Sequence, residues 1–169
     1  FIVNSVQNAR NERLEIVSGD GQRGLAGTPA QPLVVRLLVN DTPEAGTLVN
    51  WSIAGGAAPT TGTSLTNAEG LARLPINFAA TPGISTARAS SGAATAQFTI
   101  ETLGPVMRIE SGDGQRGAPG STLQPFVVQV LTPDTPGVPL ANQTVTWTLE
   151  QGNGQLSTAT SVTDGGGLA

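Results

Sequence analysis

Apolar residues fall on every second position in a series of short stretches along the chain. Leu33, Val35 and Leu37 alternate around the polar Arg36, and Val49, Trp51 and Ile53 alternate with Asn50 and Ser52. Ala72, Leu74, Ile76 and Phe78 form a further set with Arg73 and Asn77 between them, and Ala94, Ala96, Phe98 and Ile100 form another. A period of two belongs to an extended strand with one face buried. Pro75 marks its stretch as an edge strand, because proline has no N–H to give to a ladder. Gly55-Gly56, Asn67 to Gly70, Thr81-Pro82-Gly83 and Ser91-Gly92 stand between the stretches as turn signals, as Asp41-Thr42-Pro43 does for a hairpin. No window sustains a helical period. The pattern predicts an all-β chain.

The same pattern occurs twice. Ser18 to Gly24 (Ser-Gly-Asp-Gly-Gln-Arg-Gly) returns letter for letter as Ser111 to Gly117, an offset of 93 between positions 18 and 111. That offset also pairs Gln31-Pro32 with Gln124-Pro125, Val34-Val35 with Val127-Val128, and Asp41-Thr42-Pro43 with Asp134-Thr135-Pro136. Leu33, Val35 and Leu37 thereby match Phe126, Val128 and Val130, with Gln129 in the place of Arg36. A three-residue insertion near Val138–Leu140 brings Trp51 onto Trp147, and one further residue brings Gly70-Leu71-Ala72 onto Gly167-Leu168-Ala169. So long a period is a duplicated domain rather than a solenoid repeat.

Each copy is expected to be a sandwich of about seven strands with a tryptophan in the third. The predicted organisation is an end of a preceding repeat, or a docking arm, over 1–13. A first sandwich over 14–102, a linker over 103–106 and a second sandwich over 107–169 follow. The second copy has no counterpart of Arg73 to Thr102 and so lacks its last three strands, which leaves an inner face and sheet edges open. Phe1-Ile2-Val3 is similar to Phe98-Thr99-Ile100, the closing strand of the first copy. A chain that opens on Phe1 and holds a single methionine, Met107, is expected to be a mature product or an excised piece.

Composition narrows the chemistry. Cysteine, histidine, lysine and tyrosine are all absent, and 8 arginines face 12 carboxylates for a net charge of −4. There is no thiolate nucleophile, disulfide or cysteine metal site. The usual general base is missing, as is any amine for a Schiff base or a Walker-type phosphate loop. Carboxylates alone can run a glycosidase, yet no pair suggests itself, and no catalytic residue is nominated. Few, scattered arginines argue against nucleic acid, which needs a clustered basic face. No apolar run reaches the roughly 18 residues of a membrane helix, and no signal peptide is visible.

The Ser-Gly-Asp-Gly-Gln turn, the Pro-Leu/Phe-Val-Val strand, the Val-x-Trp strand and the Thr-Asn/Asp-x-x-Gly-Leu-Ala segment together resemble the bacterial immunoglobulin-like domains of the intimin and invasin type. The resemblance covers Leu14 to Ile100 and Met107 to Ala169. It implies an immunoglobulin-like sandwich without the cysteine pair, used as a tandem spacer in extracellular adhesins and fibres on the bacterial cell surface. The three-residue insertion and the shortened second copy depart from that pattern. The outer-membrane barrel and receptor-binding tip of the family have no counterpart here, so any host or surface receptor would be met through other parts.

Several candidate sites compete with plainer readings. Gly19 to Gly24 and its twin fit the G-x-G-x-x-G dinucleotide pattern, but that fingerprint needs a helix after it, and prolines and a strand follow instead. The expected role of Gly19, Asp20, Gly21 and of Gly112, Asp113, Gly114 is a turn or hinge between strands, with the aspartate bonding its own backbone. Asp20 and Asp113, with Glu15 or Glu110, are weak calcium candidates, since calcium takes six or more oxygens and no D-x-D-x-D-G run supplies them. Leu33, Val35, Leu37, Trp51, Phe126, Val128, Val130 and Trp147 are expected in the core, and Leu149 is expected inward beside Val145 and Trp147. Three sequons begin at Asn40, Asn50 and Asn142.

The expected function is a structural stalk or fibre that needs no cofactor. Its partner is another copy of itself or a neighbouring domain, with possible strand completion between subunits. The competing reading is a binding or appendage module of a phage particle or of a secreted polysaccharide-active enzyme.

Overall fold

The computed structural model describes residues 10–169. The Phe1-Ile2-Val3 stretch and most of the expected arm over 1–13 lie outside the described residues. Two compact units are formed, Phe1–Leu103 and Gly104–Ala169. Among the described residues every regular element is a strand, which establishes the all-β class.

The first unit is a sandwich of two sheets. In one, β3 (Leu33–Val39) is the central strand. It pairs antiparallel with β1 (Glu12–Ser18) along one edge and with β7 (Leu71–Leu74) and the two-residue β4 (Thr42–Pro43) along the other. The second sheet runs β2 (Gln22–Leu25), β9 (Ala94–Leu103), β8 (Gly83–Ser91), β5 (Leu48–Ala54), β6 (Thr61–Leu65). Its pairings are antiparallel except that of β2 with β9, which is parallel. Two short pieces, β2 and β4, raise the strand number above the seven expected.

Period-two burial follows the sequence on the second sheet. Val49, Trp51 and Ile53 of β5 are buried while Leu48, Asn50, Ser52 and Ala54 are exposed. The two sheets close over Leu33, Val35, Trp51, Ala72, Phe98 and Ile100, among others. The Trp51 and Phe98 rings lie 6.0 Å apart at 40°, within the range of favourable aromatic pairs. On β3 the alternation fails: Val34 and Leu38, on the opposite face to Leu33, Val35 and Leu37, are buried as well.

The stretch from Ala72 to Phe78 is not one strand. β7 stops at Leu74, because Pro75 has no N–H for the ladder, and Ile76 and Phe78 reach the core from irregular backbone. Asn40 and Asp41 both have positive φ, 50° and 63°, and form the two-residue turn between β3 and β4. That is the backbone a tight hairpin requires.

The second unit holds two strand pairs. β10 (Val106–Ser111) pairs with β11 (Val127–Leu131), and β12 (Thr144–Thr146) pairs with β13 (Thr160–Val162). Met107 stands opposite Val130 as Leu14 stands opposite Leu37, and the same irregularity recurs near Ser18 and Ser111. Its core is small: Val128, Val130 and Val145, with Leu140, Trp147 and Ala169 packed against them.

Candidate functional site

The doubled Ser-Gly-Asp-Gly-Gln-Arg-Gly segment is a strand–turn–strand connection in the first unit, running from β1 into β2 with no helix after it. A dinucleotide pyrophosphate therefore has no helix N-terminus to meet. Gly19 and Gly21 have φ of 94° and 66°, and a Cβ on Gly19 would lie 2.7 Å from the Pro32 carbonyl oxygen. Only glycine fits there without displacing backbone.

Gln22, which sequence reasoning passed over, fastens this loop. Its Nε2 donates to the carbonyls of Gly19 at 2.8 Å and Gln31 at 3.0 Å, while its Oε1 accepts from the Gln31 N–H at 2.9 Å. Gln115 repeats all three bonds, to Gly112 and Gln124, at 2.8, 2.9 and 2.8 Å. A primary amide offers donors and an acceptor from one side chain, which is why glutamine suits both the carbonyl and the N–H of one residue.

The two aspartates diverge. The expected bond to its own loop is not what Asp20 makes: its Oδ1 accepts from the Thr99 N–H at 2.8 Å, and the Gly21 N–H donates to the Thr99 carbonyl at 2.9 Å. Register then carries the loop into parallel pairing, Gln22 with Ile100 through Leu25 with Leu103. In the second unit the Asp113 Oδ1 accepts from the adjacent Gly114 N–H instead, at 2.9 Å. Residues 115–118 are unpaired. Among the described residues no group of three or more acidic side chains comes together around either aspartate.

The tryptophans occupy matching places with unequal cover. Trp51 is 3% exposed and its Nε1 donates to the Ser64 Oγ at 2.8 Å. Trp147 is only partly buried, with the same bond to the Ser161 Oγ at 2.8 Å. These serines were also missed, although Thr63-Ser64 and Thr160-Ser161 recur as a pair. The Thr-Asn/Asp-x-x-Gly-Leu-Ala segment is likewise a bracing loop. Asn67 Oδ1 accepts from the N–H groups of Glu69 and Leu71, and Asp164 Oδ1 from those of Gly166 and Leu168.

Leu33, Val35 and Leu37 are fully buried, and Val128 and Val130 are 7% and 3% exposed. Phe126, expected in the core, is instead 49% exposed. Its twin Leu33 is the first residue of β3 and packs in a cluster with Leu74, Phe98 and Ile100, whereas β11 starts at Val127 and leaves Phe126 outside the strand. Leu149 is also 49% exposed, because β12 ends at Thr146 and does not carry it inward. Met107 and Ile109 of β10 are 54% and 65% exposed, and Ile16, the twin of Ile109, is 40% exposed. An open trough of about 800 Å³ runs between Leu123, Phe126, Trp147 and Leu156.

No family model matches the chain, and a comparison with curated proteins found no match. Among solved structures it is similar to invasin, described as a bacterial integrin-binding protein. The identity is 20% and the TM-score 0.48, over 94% of this chain and 32% of that one. A C-terminal fragment of intimin, solved with the intimin-binding domain of its translocated receptor, is 21% identical. It covers 70% of this chain and 44% of the fragment, with a TM-score of 0.47. Domains of a surface-layer protein are 14% identical over 91% of this chain and 27% of theirs, with a TM-score of 0.39. The chain thus spans about a third of the invasin structure and under half of the intimin fragment.

Proposed function

We propose that this chain is a structural module, two tandem immunoglobulin-like sandwiches acting as a segment of an extracellular stalk or fibre on a bacterial surface. The observation that carries this reading is the use of its doubled polar motifs. Gln22 and Gln115, Asn67 and Asp164, and the serines under both tryptophans each hold backbone or core in place. Each of them spends a polar atom on the chain's own backbone or on a tryptophan N–H. The domain motifs quoted from the sequence support the same reading.

A spacer has to repeat a stable unit with little slack between copies. β9 ends at Leu103 and β10 begins at Val106, so Gly104 and Pro105 are the whole interval between strands of the two units. The role is non-enzymatic, and the principal partner is another copy of the same domain. Assembly with neighbouring copies by strand addition at an exposed sheet edge belongs to the same reading.

Two measurements test this reading. Antibody raised against the chain labels intact producing cells, and the chain sediments as multimers under native conditions. Labelling confined to lysed cells overturns the surface assignment. Saturable glycan binding that is lost when Phe126 is replaced by serine favours an appended binding module instead, since Phe126 is the one aromatic ring the fold leaves half exposed among the described residues.

A further inference from the structure

Within the assembly reading above, on which this inference rests, we infer that β6 (Thr61–Leu65) is the edge that joins two copies. It pairs antiparallel with β6 of a second chain about a two-fold axis at Thr63.

β6 is the outermost strand of its five-stranded sheet, bonded to β5 on one side and, among the described residues, to no strand on the other. The Ile53 N–H donates to the Thr60 carbonyl at 2.7 Å, and the Thr66 N–H donates to the Thr47 carbonyl at 3.0 Å. Antiparallel bonds alternate along a strand, so Gly62 and Ser64 bond β5 while Thr61, Thr63 and Leu65 turn their N–H and C=O groups outward. The inner side is fixed. Ser64 Oγ accepts from Trp51 Nε1 at 2.8 Å, and a Cβ on Gly62 would lie 2.8 Å from Leu74 Cδ1.

Free edges are usually guarded by charge, by proline or by brevity, because bare N–H and C=O groups recruit other strands. The other edge strands of the first unit follow that rule: Glu12, Arg13 and Glu15 lie on β1, Arg23 on β2, Pro43 on β4 and Arg73 on β7. β6, Thr-Gly-Thr-Ser-Leu, has neither charge nor proline. Its twin in the second unit, β13, is closed by a local cap. There Thr158 Oγ1 donates to the Thr160 carbonyl at 2.7 Å and accepts from the Thr160 N–H at 3.3 Å. Thr61 stands where Thr158 stands, and among the described residues it makes no such bond to Thr63. The same edge is bare in one unit and capped in the other.

A second β6 is the occupant this edge fits. Its outward residues are symmetric about Thr63, so Thr61 meets Leu65 of the second copy, Thr63 meets itself and Leu65 meets Thr61. Every outward N–H and C=O then has a partner. A residue on the axis faces its own kind, which excludes a charge there and suits threonine, a favourable cross-strand pair with itself. Leu65 is 64% exposed opposite Leu48 at 48%, and the methyl of the second copy's Thr61 is brought against it. A contact of this symmetry closes on itself, so it ties two stalks side by side rather than lengthening one.

The chain holds no cysteine, so a single introduced thiol reports its own neighbour. In the full chain, T63C treated with a short bismaleimide is expected to give a covalent dimer on denaturing gels. T86C, exposed on β8 two strands further in, is expected to give none, since at least about 24 Å of sheet would separate the two thiols. Thr63→Arg sets like charges on the axis and is expected to weaken dimerisation in sedimentation by about tenfold or more. Unchanged Trp51 emission shows that this variant folds. Thr160→Arg, on the capped edge, is expected to dimerise as wild type does. Loss of the dimer in T63R without crosslinking of T63C overturns the two-fold register. Dimers that persist in T63R overturn β6 as the joining edge while leaving assembly intact. A wild-type chain that stays monomeric at high concentration overturns the assembly reading itself.

Discussion

Asp20 and Thr99 lie 79 positions apart and are joined by one hydrogen bond of 2.8 Å between a carboxylate oxygen and a backbone N–H. Bonds to a charged acceptor are among the stronger ones, and an N–H left bare at a strand edge costs about 1–3 kcal/mol where it is out of reach of water. The twin Asp113 spends the same oxygen on its neighbour Gly114. Asp20→Ala is therefore expected to destabilise the first unit by about 1 kcal/mol, whereas Asp113→Ala moves its own unit by no more than about 0.5 kcal/mol. Denaturant unfolding of the two variants checks the asymmetry, and equal losses would contradict it.

Gln22→Ala removes three bonds at once and leaves a carbonyl and an N–H of Gln31 without their partner. The expected loss is about 1–3 kcal/mol. Gln22→Glu keeps the acceptor for Gln31 N–H but loses both donations, so it is expected to fall between wild type and alanine. Thermal melts of the three proteins rank them, and a glutamate variant as stable as wild type would refute the clamp.

Tryptophan fluorescence separates the units, because Trp51 and Trp147 are the only tryptophans and there is no tyrosine. Trp51 is sealed in the core and Trp147 is partly open. Trp51→Phe is expected to leave a red-shifted emission that external quenchers reach readily. Trp147→Phe leaves a blue-shifted, protected one. Quenching constants of the two variants provide the check.

Gly70→Ala strains a backbone at φ +71° and places a methyl 2.7 Å from the Leu37 carbonyl oxygen. Gly167→Ala repeats the insult at φ +72° and 2.5 Å from the Val130 carbonyl. Each substitution is expected to cost about 1–3 kcal/mol. Gly27→Ala, also at positive φ but with nothing within 4 Å, is expected to cost about 1 kcal/mol. Hydrogen exchange at the Leu37 and Val130 N–H groups, which bond the Gly70 and Gly167 carbonyls, locates the damage.

The strands and the doubled motifs were legible because period-two alternation and an exact repeat are local or direct properties of the letters. Trp51, Leu33 and Val35 could be placed inward from alternation alone. Phe126 could not, since its alternation is the same as that of Leu33, while pairing in the folded chain starts one residue later, at Val127. Asp20 was misread for a related reason. An Asx-turn needs nothing beyond the next two residues, whereas Thr99 becomes a partner only once β9 is folded beside the loop. Gln22 and Ser64 left a signal in their recurrence, but recurrence says that a residue matters and not which group it touches.

The parallel pairing of β2 with β9 has a mechanical consequence. β1 starts at Glu12 and β9 ends at Leu103, so tension applied between those two points pulls β1 and β9 in opposite senses. β2 follows β1 directly through the glycine turn, and the two parallel strands are then drawn lengthwise past each other. Loaded that way, their hydrogen bonds bear the strain together and must give way together, where an antiparallel hairpin pulled from its open end would unzip one bond at a time. Asp20 and Gln22 sit at the head of that seam, so the glycine loop is the rivet that sets how hard the domain can be pulled.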